Sequence, residues 1–161
     1  IVDTPGVSSL HELRTRRMAH RSLVDAHVCV DPRISVSEGH RIAEVTRKRV
    51  LESHSSVSDV LVHIDGEDDL DHDSKSQNTP DRSDLIRQLA PVLSQLPEPQ
   101  RVVLHYLGGR VEAEVYLSRQ DFGDSAAGRG VEQAIGRYLA ENPLVSSLAI
   151  NHRRQIFPVR D

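Results

Sequence analysis

The residues of this chain with the clearest chemical potential are its histidines, which are concentrated near its beginning. Six of the nine lie within residues 1–66: His11, His20, His27, His40, His54 and His63. Asp65 follows His63 by two positions in a strand-like segment, and alternate residues of a strand point to the same side. Neutral imidazole and carboxylate groups together suit zinc and similar divalent ions. The sequence therefore predicts a divalent metal site.

The alternation of apolar and polar residues indicates how strands position these groups. Residues 23–30 and 57–65 both alternate with a period of two, as half-buried strands do. Helices are expected to cover the apolar faces. The opposite face is then predicted to carry His27, His63 and Asp65. His11 lies in another predicted strand, residues 10–17, and joins them if the strands are neighbours.

An acidic segment divides the chain into two parts. Residues 67–84 contain seven acidic residues against Lys75 and Arg82 and almost no apolar ones, so we expect a flexible linker between residues 1–66 and residues 85–161. The two flanking parts are close to neutral. Neither has the basic field that nucleic-acid binding requires, so we expect no nucleic-acid partner.

The two parts resemble each other in the order of their predicted elements. The two main strand-like segments of the first part recur 87 and 88 positions later. Helical segments lie between them in each part, at residues 35–53 and 125–141. A further helix is predicted at residues 85–96, and the first part has no counterpart for it. We therefore predict an α+β fold of ferredoxin-like, αββαβ type in two tandem copies, the first truncated at its first helix.

The second copy has other residue types at the ligand positions. The sequence comparison matches His27 with Glu114, His40 with Gly128, His63 with Asn151 and Asp65 with Arg153. His105 is the one histidine of the second copy that is expected to correspond to His11. Because Arg153 would replace an anionic ligand with a cation, we predict that the second copy lacks the site and supports dimerisation or contact with a partner.

The motifs of residues 1–66 resemble the cytoplasmic C-terminal domain of cation diffusion facilitator transporters. The matching residues are Gly6-Val7, the segment His11-Glu12-Leu13-Arg14-Thr15-Arg16, His27, His40 and Val62-His63-Ile64-Asp65. The resemblance implies a metallochaperone-like αββαβ fold and a homodimer beneath a six-helix membrane domain. It also implies divalent cations at the dimer interface that regulate proton-coupled efflux. By motif position, the ligands it implies are His11, His27, His40, His63 and Asp65.

The resemblance also sets expectations for partners and location. The chain opens at Ile1 without an initiator methionine, which we interpret as a fragment of a larger protein. Its expected partners are a second copy of itself and the transmembrane domain of the same transporter, with no insertion of this fragment into the membrane. Its expected place is the cytoplasmic side of a bacterial inner membrane. Zinc is the favoured ion, and iron, manganese, cobalt and nickel remain open.

Two other functions are alternatives to this one. A free-standing metal carrier or small-ligand regulator of ferredoxin-like fold would share the same elements. A metallohydrolase would need a general base, and none is evident. The sequence also shows no glycine-rich phosphate loop, nucleophile elbow or HExxH motif, so we expect no enzyme activity. Cys29 shares a strand face with His27, but a lone cysteine is more often a packing residue, while His20 and His54 are interpreted as structural or surface residues.

Overall fold

The computed structural model describes residues 1–68, 79–118 and 125–152. The chain divides into two compact units, Ile1–Asp73 and Ser74–Asp161. Each unit contains a three-stranded sheet with helices, which confirms the predicted α+β class. The predicted linker, residues 67–84, falls largely outside the described residues, and so does the end of the predicted second copy.

No helix in the described ranges combines the length and the apolar character that crossing a membrane requires.

The first unit is a sheet crossed by one helix. Its elements are β1 (Ser9–Met18), β2 (Arg21–Cys29), α1 (Val36–Ser53) and β3 (Val57–Asp65). Strand β2 lies in the centre, antiparallel to β1 and parallel to β3. A parallel pair needs a crossover connection, and α1 provides it. The helix begins after Ser35, whose side chain accepts a hydrogen bond from the Glu38 backbone amide at 3.1 Å.

The core of the first unit lies between α1 and one face of the sheet. Alternate residues of β2, namely Val24, Ala26 and Val28, are buried. Helix α1 buries a stripe at helical spacing, made of Ile42, Thr46 and Val50. With the apolar side chains of β2 packed toward the helix, the intervening residues of the strand lie on the helix-free face.

The second unit has the same strand order with an additional helix. Its elements are α2 (Arg82–Leu93), β4 (Arg101–Leu107), β5 (Arg110–Leu117), α3 (Ser125–Glu141) and β6 (Val145–His152). Strand β5 is central, antiparallel to β4 and parallel to β6. Helix α2 buries Leu85, Leu89 and Val92 in a cluster with sheet residues Val111 and Val145. The helix predicted before the second copy is therefore present, and it ends two residues after Pro91.

The hairpin between β4 and β5 depends on two glycines. Gly108 and Gly109 have φ values of 59° and 72°, and they connect the paired residues Leu107 and Arg110. Positive φ at both central positions is the geometry of the two-residue turns that match the twist of antiparallel strands. We expect Gly109→Val to destabilise the second unit by about 1–2 kcal/mol, because a β-branched residue is strained in this region. Urea unfolding would measure it, and an unchanged midpoint would contradict the turn assignment.

Candidate metal centre

Three side chains from three neighbouring strands converge on the helix-free face of the first sheet. His11 comes from β1, His27 from β2 and Asp65 from the end of β3. The Asp65 Oδ2 atom lies 3.0 Å from His27 Nδ1 and 3.3 Å from His11 Nε2. One carboxylate oxygen thus faces two imidazole rings. The His11 side chain is only 5% exposed, whereas those of His27 and Asp65 are 31% and 20% exposed, so the cluster opens to solvent on one side.

A β-bulge brings His11 to this face. Leu10 pairs with Val28 and Glu12 pairs with His27, so two residues of β1 occupy the space opposite one step of β2. Without the extra residue, strand alternation would place His11 opposite Val28 and direct it toward the helix. A bulge of this kind leaves one residue unpaired and re-aims its side chain. His11 and Glu12 therefore both lie beside His27.

The spacing of the donors fits one divalent ion. The ligand atoms of His11, His27 and Asp65 all lie within 4.8 Å of one another. Metal–ligand bonds of about 2.0–2.2 Å in a tetrahedron separate neighbouring donor atoms by about 3.4 Å. The contacts of 3.0 and 3.3 Å are close to that separation. Two neutral imidazoles and one carboxylate also form a donor set that suits zinc and its neighbours.

His63 and His40 lie outside this cluster of three. The His63 ring stacks on the His27 ring, with centroids 4.2 Å apart and planes 11° from parallel, and its side chain is exposed. His40 is exposed on α1, beside a cavity of about 380 Å³ that Val62 and Ile64 also line. These two strand residues lie on the helix side of the sheet, so His40 and the cluster occupy opposite faces. Within one chain the structure does not bring all five predicted ligands together.

Glu12 is a residue of the site that the sequence reasoning missed. Its Oε2 atom lies 3.6 Å from His27 Nε2, while His27 Nδ1 faces Asp65. A carboxylate at the second ring nitrogen of a metal-binding histidine orients the ring and makes it a better ligand. Glu12 also pairs with Arg14. Its position directly opposite His27 was hidden because the sequence does not reveal the bulge.

Cys29 makes the corresponding contact to the other imidazole. Its sulfur lies 3.2 Å from His11 Nδ1, and the cysteine is buried. The shared strand face of Cys29 and His27 was predicted, but the contact to His11 was not. Each of the two clustered histidines thus directs one ring nitrogen at Asp65 and the other at a different polar partner.

In the second unit, a different cluster occupies the equivalent strand face. Tyr116 donates a hydrogen bond of 2.7 Å to Glu114, and His105 Nε2 lies 3.4 Å from the same carboxylate. The hydrogen bond to Glu114 raises the pKa of the Tyr116 hydroxyl above its usual value, because it stabilises the protonated phenol. This arrangement holds one imidazole, compared with the two beside Asp65.

The strand register corrects the predicted counterpart of His27. In each parallel ladder a register shift follows the first pair, which is Ser22 with Val57 in the first sheet and Val111 with Val145 in the second. Ser22 therefore corresponds to Val111, and His27, five residues later, corresponds to Tyr116 instead of the predicted Glu114. Tyr116 pairs with Asn151 as His27 pairs with His63, so Asn151 holds the place of His63, as predicted.

The predicted counterpart of Asp65 lies outside the described residues. Asp65 follows His63 by two positions, and the same spacing from Asn151 gives Arg153, the residue that the sequence comparison matched with Asp65. The match of Asp65 with Arg153 therefore stays a prediction.

The predicted echo of His11 by His105 is also wrong in register. Counted from the turn of each hairpin, His105 with Glu112 is the third pair, and the third pair in the first sheet is Arg16 with Leu23. His105 therefore takes the place of Arg16. The β4–β5 ladder runs without a register shift, so it has no bulge like the one that re-aims His11.

Part of the chain is similar to a known protein family. Residues 1–67 match the family described as the cytoplasmic domain of cation efflux proteins. The resemblance predicted from residues 1–66 is confirmed by this match, and the region contains the whole cluster of His11, His27 and Asp65.

Two plant proteins are similar over the same region. Metal tolerance protein C1 of Arabidopsis thaliana is 40% identical over 65 residues, which is 40% of this chain and 14% of the plant protein. Metal tolerance protein 2 of Oryza sativa subsp. japonica is 38% identical over 64 residues, 40% of this chain and 16% of that protein. The chain thus spans only a small part of the length of these relatives.

Solved structures of MamM CTD are also similar to part of the chain. A variant in a nickel form is 23% identical, with a TM-score of 0.40, covering 41% of this chain and 84% of that one. A variant in a cadmium form is 25% identical, with a TM-score of 0.39, covering 40% and 80% respectively.

Proposed function

We propose that this chain, whose residues 1–67 match the cytoplasmic domain of cation efflux proteins, is the metal-sensing part of a divalent cation efflux transporter. The observation that carries the proposal is the convergence of His11, His27 and Asp65 on one face of the sheet. In this function the domain binds the same class of ion that the transporter carries. It reports the cytoplasmic metal level to the membrane part, which exchanges the ion for protons.

Zinc is the ion that we propose for the site. Two imidazoles and a carboxylate favour borderline ions over magnesium or calcium, which prefer sets made only of oxygen donors. The relatives in Arabidopsis thaliana and Oryza sativa are named metal tolerance proteins, which supports a metal ion as the ligand. Iron, manganese, cobalt and nickel accept the same donors, so a titration must compare them with zinc.

We further propose that the domain acts as a homodimer and that a second copy completes the coordination. The three clustered residues leave a fourth position open on the solvent side, where His27 and Asp65 are partly exposed. His63 is exposed beside His27. It therefore stands where it can reach an ion held between two copies. His40, on the opposite face, is proposed as a ligand only through contact with a partner protomer.

Titration of zinc into the chelator-treated chain tests the site. We expect His27→Ala to weaken zinc binding by about 100-fold or more, since a lost ligand should cost at least as much as a lost supporting contact. His20→Ala, in the turn between β1 and β2, is the matched control and should bind as the wild type does. Equal calorimetric affinity in His27→Ala and wild type would remove the cluster as the metal site.

Sedimentation velocity tests the dimer in the same variants. Zinc is expected to shift the wild-type chain toward a dimer, and His63→Ala is expected to bind the first zinc while losing that shift. A chain that binds zinc and stays a monomer at every concentration would contradict the shared site and favour a metal carrier that acts alone.

A further inference from the structure

We propose that Cys29 is a positioning residue for metal binding: its thiol holds the His11 ring and accepts a hydrogen bond from the Nδ1–H that His11 must carry when it coordinates an ion through Nε2. The inference rests on the proposed metal-binding function and adds to it a residue that controls affinity. Cys29 touches the ligand and not the metal.

The geometry singles out the thiol. Cys29 Sγ lies 3.2 Å from His11 Nδ1, within hydrogen-bonding range for sulfur, while the other ring nitrogen faces Asp65 at 3.3 Å. Cys29 is 6% exposed and the His11 side chain is 5% exposed, so water has little access to this contact. A buried ring nitrogen without a partner would carry a free-energy penalty. The sulfur is the group that the structure places there.

The chemistry of the histidine explains why the partner must both donate and accept. In the metal-free tautomer that this role requires, His11 Nε2 carries the ring proton on the side of Asp65, and the Cys29 S–H donates to the bare Nδ1. With metal on Nε2, the ring proton moves to Nδ1, and Nδ1–H then donates to the sulfur. A thiol serves in both states, as a hydroxyl does, because each is a donor and an acceptor. An aliphatic side chain serves in neither.

The contrast with His27 supports this role. Its second nitrogen faces Glu12, a carboxylate that is partly exposed. His11 lies deeper, where an unpaired carboxylate would be costly to bury. The neutral thiol gives the deeper ring an equivalent partner without placing a charge there.

The test compares Cys29→Val with Cys29→Ser in the full chain. Valine is close to cysteine in size and suits a strand, but it cannot form the hydrogen bond. We expect Cys29→Val to bind zinc about 10–100-fold more weakly by calorimetry, as when other supporting partners of metal ligands are lost. Cys29→Ser should restore most of the affinity. Thermal unfolding without metal should show both variants folded.

A second readout separates positioning from packing. Nitrogen-15 spectra of the histidine rings should show His11 bound through Nε2 and protonated at Nδ1 in zinc-loaded wild type and in Cys29→Ser. At the same zinc concentration the Cys29→Val spectrum should show this state depleted. A variant Cys29→Val that matches wild type in affinity and in the His11 spectrum would overturn the inference.

Cobalt distinguishes the remaining possibilities. A sulfur-to-metal charge-transfer band in the cobalt-loaded wild type would make Cys29 a ligand and overturn its role as a positioning residue. Absence of any binding in wild type would overturn the proposed function and this inference with it. Tight wild-type binding that Cys29→Val leaves unchanged would overturn this inference alone.

Discussion

Asp65→Asn is expected to weaken zinc binding by about 100-fold or more, with little change in the fold. The Oδ2 atom of Asp65 faces both His11 and His27, so the substitution removes the one anionic donor that the two imidazoles share. Asparagine keeps the size and shape of the side chain, so the loss should come from the lost charge and donor strength. A lost ligand should exceed the 10–100-fold cost of a lost supporting group. Calorimetric titration with zinc would measure it.

Asp59→Asn is the matched control for this substitution. Asp59 lies on the same strand and the same face, but it pairs with Arg47 at 2.8 Å and is exposed. The hydrogen bond from Arg47 lowers the pKa of the Asp59 carboxyl, so this carboxylate already pairs with a guanidinium group. Its replacement should leave the zinc affinity unchanged. If Asp59→Asn and Asp65→Asn weakened binding equally, a diffuse negative field would explain the affinity better than a coordinated site.

Leu89→Ala is expected to destabilise the second unit by about 2–5 kcal/mol, the range for a large buried aliphatic side chain. Leu89 is fully buried in one cluster with Leu85 and Val92 of the same helix and with Val111 and Val145 of the sheet. Helix α2, which has no counterpart among the described residues of the first unit, contributes three of the seven buried residues in the core cluster of the second unit. Hydrogen exchange would show the loss of protection in β5 and in α3.

Gln88→Ala provides the control, since Gln88 is the exposed neighbour of Leu89 on the same helix. Its effect should stay within about 0.5 kcal/mol, as is usual for surface positions. The zinc affinity of Leu89→Ala should equal that of wild type, because His11, His27 and Asp65 all belong to the first unit. Protection in β5 that survives the substitution would contradict the packing of α2.

The sequence predicted most of the fold because its elements have clear periodicity and clear ends. The strand from Val57 to Asp65 alternates between buried or half-buried and exposed residues from Val60 to Ile64, and the helix beginning after Ser35 has a capping residue and a buried stripe. The double glycine at residues 108–109 marks the hairpin. Each of these signals is local, so a single sequence is enough to detect it.

The site was harder to predict because its geometry depends on pairing between strands. The alternation of apolar and polar residues shows which side chains of β2 and β3 lie on each face of the sheet. The sequence was therefore enough to predict that His27 lies near Asp65. The position of His11 depends on a bulge, and the contacts of Glu12 and Cys29 follow from that bulge. Register is set by the folded sheet, and residue types within one strand do not encode it.

The extra residue in β1 makes the length of that segment part of the binding site. Removing Leu10 would leave a regular ladder in which His11 lies opposite Val28, with its imidazole directed toward the helix. A chain with every donor intact could thus lose its metal through a single-codon deletion. In this domain the number of residues in β1 determines the metal site as much as the ligand residues do. Homologues should therefore be compared by the length of this segment as well as by the residue types at the ligand positions.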